Sequence, residues 1–218
     1  RPELTGARIG IVLLRLNSTP KEEYWNDGEW SAYLDGMGLD RSYHRRYWEW
    51  TQVAYGLDRL GVLNEKSRGL GIGVGNEPLI FYLATRCGEI TATDMYEKTW
   101  SKDGQANPSM LTEPERFSPR PYPKERLRVM RMSALDLKLS DASFDFAWSV
   151  GAIEHFGTTL VKHAFRKGCR AIGLRKWAAV FDHLGATRAI REIWRVLKPC
   201  GVEAITTELV LNDHPHHE

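Results

Sequence analysis

Cysteine is scarce in this 218-residue chain: Cys87, Cys169 and Cys200 stand far apart, with no C-x-x-C spacing. An odd, scattered set argues against a disulfide framework or a zinc site and reads as reduced thiols in a cytoplasmic protein. Long apolar runs are missing too. None approaches the roughly 20 residues that a membrane-spanning helix needs, and the longest are strand-sized. No basic stretch followed by an apolar one opens the chain, so no secretory signal is expected. Excess charge of one sign is absent: 30 Lys and Arg against 28 Asp and Glu leave +2, which gives no field argument for nucleic acid as a partner. There is no internal repeat and no low-complexity tract. What remains, 42% hydrophobic residues, suffices for one substantial core in a single domain with elaborated loops.

Residues 8–16 have the composition of a short strand or buried arm, and residues 17–42, rich in Gly, Asp, Glu and Trp, are expected to be irregular. From Tyr47 to Leu60, apolar residues recur at three- and four-residue spacing, which predicts a helix over 43–60 with Gly61 as its stop. An alternation follows. Strands are expected at 67–72, 89–94, 126–132, 144–149 and 202–211. Helices are expected at 78–85 and 187–197, the latter with Ile190, Ile193, Val196 and Leu197 on one side. Strands alternating with helices imply an α/β fold with a mostly parallel sheet and right-handed crossovers. Residues 1–42 then form an N-terminal extension, 43–211 the main domain and 212–218 a tail. Two stretches exceed a minimal plan, 97–125 and 157–182, and are read as insertions. Within the second, residues 162–176 carry Lys162, Arg166, Lys167, Arg170, Arg175 and Lys176 and no acidic residue. A solvated amphipathic helix is the ordinary reading of such a run; contact with phosphates, glycans or anionic lipid is the functional one.

The sharpest local signal is Gly71-Ile72-Gly73-Val74-Gly75, after one expected strand and before the next helix. Glycines there allow a tight turn and a close backbone approach to a ligand. The nicotinamide fingerprint GxGxxG fails in either register, because its third glycine would fall on Asn76 or Val74. Asp94, ending the next strand about 20 residues on, stands where a carboxylate reaches a ribose diol in this architecture. Alone, it would be an ordinary turn residue.

The GxGxG loop, Asp94, the Met132–Leu137 and Asp141–Asp145 stretches, the strand Phe144–Ser149 with its continuation Val150–Phe156, and Glu192–Gly201 (a helix, an LKPCG turn and a strand) occur in order. Together they resemble the class I S-adenosylmethionine-dependent methyltransferases over residues 67–211. The resemblance implies a Rossmann-like, doubly wound sheet with helices on both faces, and S-adenosylmethionine as cofactor. It implies cofactor contacts from Gly71, Gly73, Gly75, Asp94, Met95, Ser133, Ala134, Leu135 and Ser149. An acidic residue is usual two positions before the first motif glycine; here Gly69 stands there, and Glu77 is the candidate substitute. Ser133 takes a place often held by Asp, and Cys200 one usually held by Gly. The family's last two strands have no counterpart before Glu218, so C-terminal strands are expected to be missing.

Glu154 and His155, following the fourth strand, are the candidate catalytic groups, His155 because it can take a proton from a hydroxyl near neutral pH. Ordering of the loop or of the cofactor is the blander role for both. The Asp/Asn-Pro-Pro-Tyr motif of many N-methyltransferases is absent, which favours O-methylation of a small-molecule, sugar or lipid-linked acceptor. The alternative is a non-catalytic domain that keeps the fold as a cofactor-binding or interaction module. His214, His216 and His217 read as solvated tail residues, and no metal is expected.

Overall fold

The structure, a computed structural model, describes residues 18–97, 105–156 and 175–207, without the side chains of 175–183. The helices are α1 (Glu23–Asn26), α2 (Gly28–Met37), α3 (Arg45–Arg59), α4 (Pro78–Arg86) and α5 (Arg175–Val196). The strands are β1 (Arg68–Ile72), β2 (Glu89–Asp94), β3 (Leu127–Arg131), β4 (Phe144–Val150) and β5 (Leu197–Thr206). They form one sheet in the order β3-β2-β1-β4-β5, and all four pairings are parallel. The order reverses between β1 and β4. In an open α/β sheet the crevice beyond the carboxyl ends of the strands at that reversal is where ligands bind.

Two cores cover the two faces. One is built from Ile90, Ala92, Phe146, Trp148 and Val150 of the sheet against α1 to α4. The other joins Leu70, Ile72, Phe144 and Ala147 to Ala189, Ile193 and Val196 of α5. On β1 the side chains alternate between these faces. Leu70 and Ile72 enter the α5 core, while Gly69 and Gly71 face the other way. Their register partners on β4 are Phe146 and Trp148. A Cβ at Gly69 would lie on the Phe146 ring, and one at Gly71 about 2.5 Å from Trp148. The two glycines therefore make room for two large aromatic side chains.

Several expectations need correction. Residues 17–42 are not irregular throughout. Asp27 caps α2 by accepting the Glu29 and Trp30 N–H groups, each at 3.0 Å, and Gly38 ends the helix in the left-handed region. Trp25, Trp30, Leu34 and Met37 join the main core, so an N-terminal extension split off at residue 42 misses a structural layer. Charge and glycine content hid that layer's apolar periodicity.

The described part of the 97–125 insertion, residues 105–125, is likewise packed in. It carries 3-10 turns at Pro108–Leu111, Pro114–Phe117 and Lys124–Arg126 and buries Ala106 and Met110. The last helix begins at Arg175, not 187, and so takes up the end of the 157–182 insertion. Ile190, expected on its buried side, is 40% exposed. The final strand begins before the Pro199–Gly201 turn rather than after it. Its register jumps from Phe144↔Leu197 to Phe146↔Val202; the turn survives as a bulge, with Cys200 at φ +66°. Residues 8–16, most of the basic 162–176 run and the histidine tail lie outside the described residues.

Candidate functional site

The glycine loop leaves β1 at the sheet's reversal point and enters α4, whose first residue is Pro78. Proline suits that position because its missing N–H would have no helical partner. Gly73 and Gly75 hold φ of +66° and +51°, which glycine adopts without steric cost. Gly73 and Val74 donate to the Thr93 carbonyl at 2.8 and 3.3 Å, tying the loop to the end of β2. Gly75 N–H donates to Asp94 Oδ2 at 2.9 Å, and Tyr96 N–H to Asp94 Oδ1 at 3.2 Å. Tyr96, at φ +46°, sends its hydroxyl back to the Gly75 carbonyl at 2.9 Å. Each Asp94 oxygen thus accepts one backbone N–H. A carboxylate has about four lone-pair sites, so two further hydroxyls can still be accepted.

Beside this pair, Met132 N–H donates to the Asp94 carbonyl at 2.9 Å. This brings the Ser133–Leu135 turn to the end of β2, with Ser133 Oγ accepting from Leu135 N–H at 3.2 Å. Met95 is 40% exposed next to Asp94. Gly71, Gly73, Gly75, Asp94, Met95, Ser133, Ala134 and Leu135 are therefore gathered at the carboxyl ends of β1, β2 and β3. Ser149 is fully buried on β4, and its Oγ has no hydrogen-bond partner among the described residues.

Glu77 is the second centre. Its Oε1 accepts from Trp148 Nε1 at 2.7 Å and its Oε2 from Trp50 Nε1 at 2.9 Å. Burial pushes its pKa up to about 8; the two indole N–H groups and nearby Arg46 oppose the rise, and Asp94 adds to it. Gly69 and Glu77 are linked by packing. A side chain at 69 would displace Phe146, and Trp148, which lies over Gly71, reaches Glu77 at the start of α4. Arg46 closes this side by donating to Glu49 Oε2 at 2.9 Å and to the Val150 carbonyl at 3.3 Å. It fixes α3 to the end of β4. Burial raises the pKa of Glu49, against the pull of Arg46.

The candidate catalytic pair lies on a 3-10 turn, Ile153–His155, directly after β4. His155 is exposed. Glu154 Oε2 accepts from Thr207 Oγ1 at 3.4 Å, while its Oε1 is buried with no hydrogen-bond partner among the described residues. The same segment touches the glycine loop: a Cβ at Gly73 would lie 2.8 Å from the Phe156 ring and 2.9 Å from the Ala152 methyl. Among the described residues no group of three or more His, Cys, Asp or Glu could hold a metal ion, and no helix is long and apolar enough to cross a membrane.

Sequence reading missed Arg46, Tyr96 and the pairing of Trp50 and Trp148 with Glu77. The one available signal was Gly69-x-Gly71 set against Phe146-x-Trp148, and it becomes legible only once the β1–β4 register is known.

The model of the methyltransferase domain family matches residues 70–172. No curated protein matches the chain. Among solved structures, the chain is similar to a Galdieria sulphuraria protein assigned as a sarcosine dimethylglycine methyltransferase (22% identity, 88% of this chain and 52% of that one, TM-score 0.49). It is similar also to the YcgJ protein of Bacillus subtilis (20%, 68% and 47%, TM-score 0.42). A third is phosphoethanolamine N-methyltransferase 2 of Haemonchus contortus with S-adenosyl-L-methionine (23%, 70% and 27%, TM-score 0.43). The chain spans about half the length of the first structures it matches. The segment 70–172 runs from β1 through the glycine loop, Asp94 and β4, so the match to the methyltransferase domain model spans the candidate site.

Proposed function

We propose that this chain binds S-adenosylmethionine across the carboxyl ends of β1, β2 and β3 and methylates a small-molecule, sugar or lipid-linked acceptor, with oxygen as the favoured atom. The observation that carries the reading is the Gly75–Asp94 hydrogen bond of 2.9 Å. It fixes a carboxylate with spare lone pairs against a loop whose glycines leave the backbone bare. In this reading Asp94 accepts the ribose hydroxyls. Met95, Ser133, Ala134 and Leu135 flank the adenine. Gly71, Gly73 and Gly75 permit close approach, and Ser149 supplies a buried hydroxyl with an open hydrogen-bonding site. Glu77 holds the ammonium of the methionine end, a role that a buried carboxylate with no bonded cation suits.

The cofactor's sulfonium supplies an activated methyl group, so the protein's task is alignment and exclusion of water. Glu154 and His155 are placed to take the acceptor's proton, and the absence of an Asp/Asn-Pro-Pro-Tyr motif after β4 supports a hydroxyl acceptor. A cytoplasmic setting is part of the proposal, in keeping with the free thiols of Cys87 and Cys200. A second reading, a cofactor-binding or interaction module without catalysis, draws on Phe156 and Ala152 standing over Gly73.

Calorimetry with S-adenosylmethionine, S-adenosylhomocysteine and NAD tests the proposal. Binding of both sulfur compounds and not of NAD is expected. Folded protein that binds neither sulfur compound overturns the proposal. Methyl transfer to an acceptor in a product screen decides against the second reading.

A further inference from the structure

From Leu184 onward, helix α5 is apolar on two sides. Its inner side is spent on the core: Ala189, Ile193 and Val196 are at most 1% exposed. On its outer side Leu184, Ile190 and Trp194 are 57%, 40% and 78% exposed. At about 100° per residue, Leu184, Ile190 and Trp194 fall within one third of the helix circumference. Arg191 lies between Leu184 and Trp194, with Thr187 between Ile190 and Leu184 and Arg188 beside Leu184. All three polar residues are exposed.

Single exposed apolar side chains are ordinary. Three on one helix face, one of them an almost bare Trp and all rimmed by arginines, mark an interaction surface. Glu192, next to Arg191 in sequence, is turned aside, bonding Arg195 at 2.8 Å and Leu137 N–H at 2.9 Å, and Asp136, whose carboxylate feels Arg188, is held by Lys138 at 2.8 Å. No salt bridge holds Arg188 or Arg191 among the described residues.

The chemistry selects the occupant. Tryptophan suits a boundary with one apolar and one wet side. Arginine pairs with phosphate oxygens and is weakly hydrated. A single-stranded nucleic acid would use the arginines and the indole but leave Leu184 and Ile190 unspent. A second copy of this chain across a two-fold axis would set arginine against arginine. The sequence entering the helix, residues 162–176, carries six basic residues and no acidic one, so the sign of charge continues.

We propose that the outer face of α5 is a peripheral docking surface for an anionic lipid bilayer, with Leu184, Ile190 and Trp194 entering the headgroup region and Arg188 and Arg191 meeting lipid phosphates. This stands apart from the cofactor reading, because none of these residues is among those assigned to the cofactor.

Co-sedimentation of the full chain with vesicles of phosphatidylcholine alone, and of three parts phosphatidylcholine to one part phosphatidylglycerol, tests it. Binding to the anionic vesicles, weak binding to the neutral ones and loss with added salt are expected. An I190S/W194S variant should bind about tenfold more weakly, and R188E/R191E should lose the preference for anionic lipid. Both variants should keep the wild-type circular dichroism and S-adenosylmethionine affinity. Wild-type protein that ignores both vesicles overturns the proposal. So does an unchanged I190S/W194S variant, a wild-type dimer that the same pair of changes makes monomeric, or binding of polyuridylate without binding of vesicles.

Discussion

Glu77 makes the stability of this protein depend on pH in the direction opposite to most carboxylates. Its ordinary pKa is 4.5, and in the folded chain it rises to about 8, chiefly through burial. Between those values the unfolded chain carries the anion while the folded chain keeps the proton. The folded state therefore binds more protons, and unfolding free energy falls as pH climbs. The contribution is fully present below pH 4.5 and is lost as pH rises through 8. At about 1.4 kcal/mol per pKa unit, the whole swing is on the order of 4–5 kcal/mol. That is a large share of the roughly 5–15 kcal/mol that stabilises a domain.

Glu77→Gln removes the titration. Glutamine offers one acceptor to the two indole donors Trp50 and Trp148, so relative to protonated Glu77 it should cost about 1–3 kcal/mol. The variant is then expected to be less stable than wild type near pH 5 and more stable near pH 9, with a crossing between. Urea unfolding at unit pH steps, with m held constant, measures this. Parallel wild-type and Glu77→Gln curves across that range would refute the burial argument. A second readout tests the cofactor side. An ammonium set against Glu77 ionises it, so S-adenosylmethionine binding at pH 7 should release about one proton. Calorimetry in buffers of different ionisation enthalpy counts it.

Three further outcomes are expected. Asp94→Asn keeps one acceptor but sets an amide donor against the Gly75 or Tyr96 N–H; cofactor affinity should fall about 10–100-fold, from the loss of a charge-assisted bond worth roughly 1.5–3 kcal/mol, read by titration calorimetry. Gly75→Ala would place its Cβ on the Gln105 carbonyl oxygen at a positive φ, so it should abolish cofactor binding and lower the thermal midpoint, as scanning calorimetry would record. Cys200→Gly removes a side chain held at φ +66°; the strain relieved, less the entropy glycine adds to the unfolded chain, should stabilise by about 0.5–1 kcal/mol in urea unfolding.

The elements most legible in the sequence were those whose local chemistry and tertiary role agree. Strands β1, β2 and β4 and helix α4 fall within one or two residues of their expected bounds, because apolar runs there end at glycines or at an acidic residue. The GxGxG loop and Asp94 were found by spacing, and the β2–loop hydrogen bonds bring them together. The helices within 17–42 were not legible, since their tryptophans and tyrosines are interleaved with Gly, Asp and Glu. Nor was the exposure of Ile190, because a helical period places residues on a face without saying what that face meets.

By itself the sequence determined the alternation of strands and helices, the glycine loop and the failure of the nicotinamide spacing. These follow from steric and periodic rules within a few residues. Tertiary structure alone decided why positions 69 and 71 have no room for a side chain and what holds the buried Glu77. Phe146, Trp148 and Trp50 approach Gly69, Gly71 and Glu77 from across the sheet and from α3. Only packing brings residues separated by up to about 70 positions within hydrogen-bond reach.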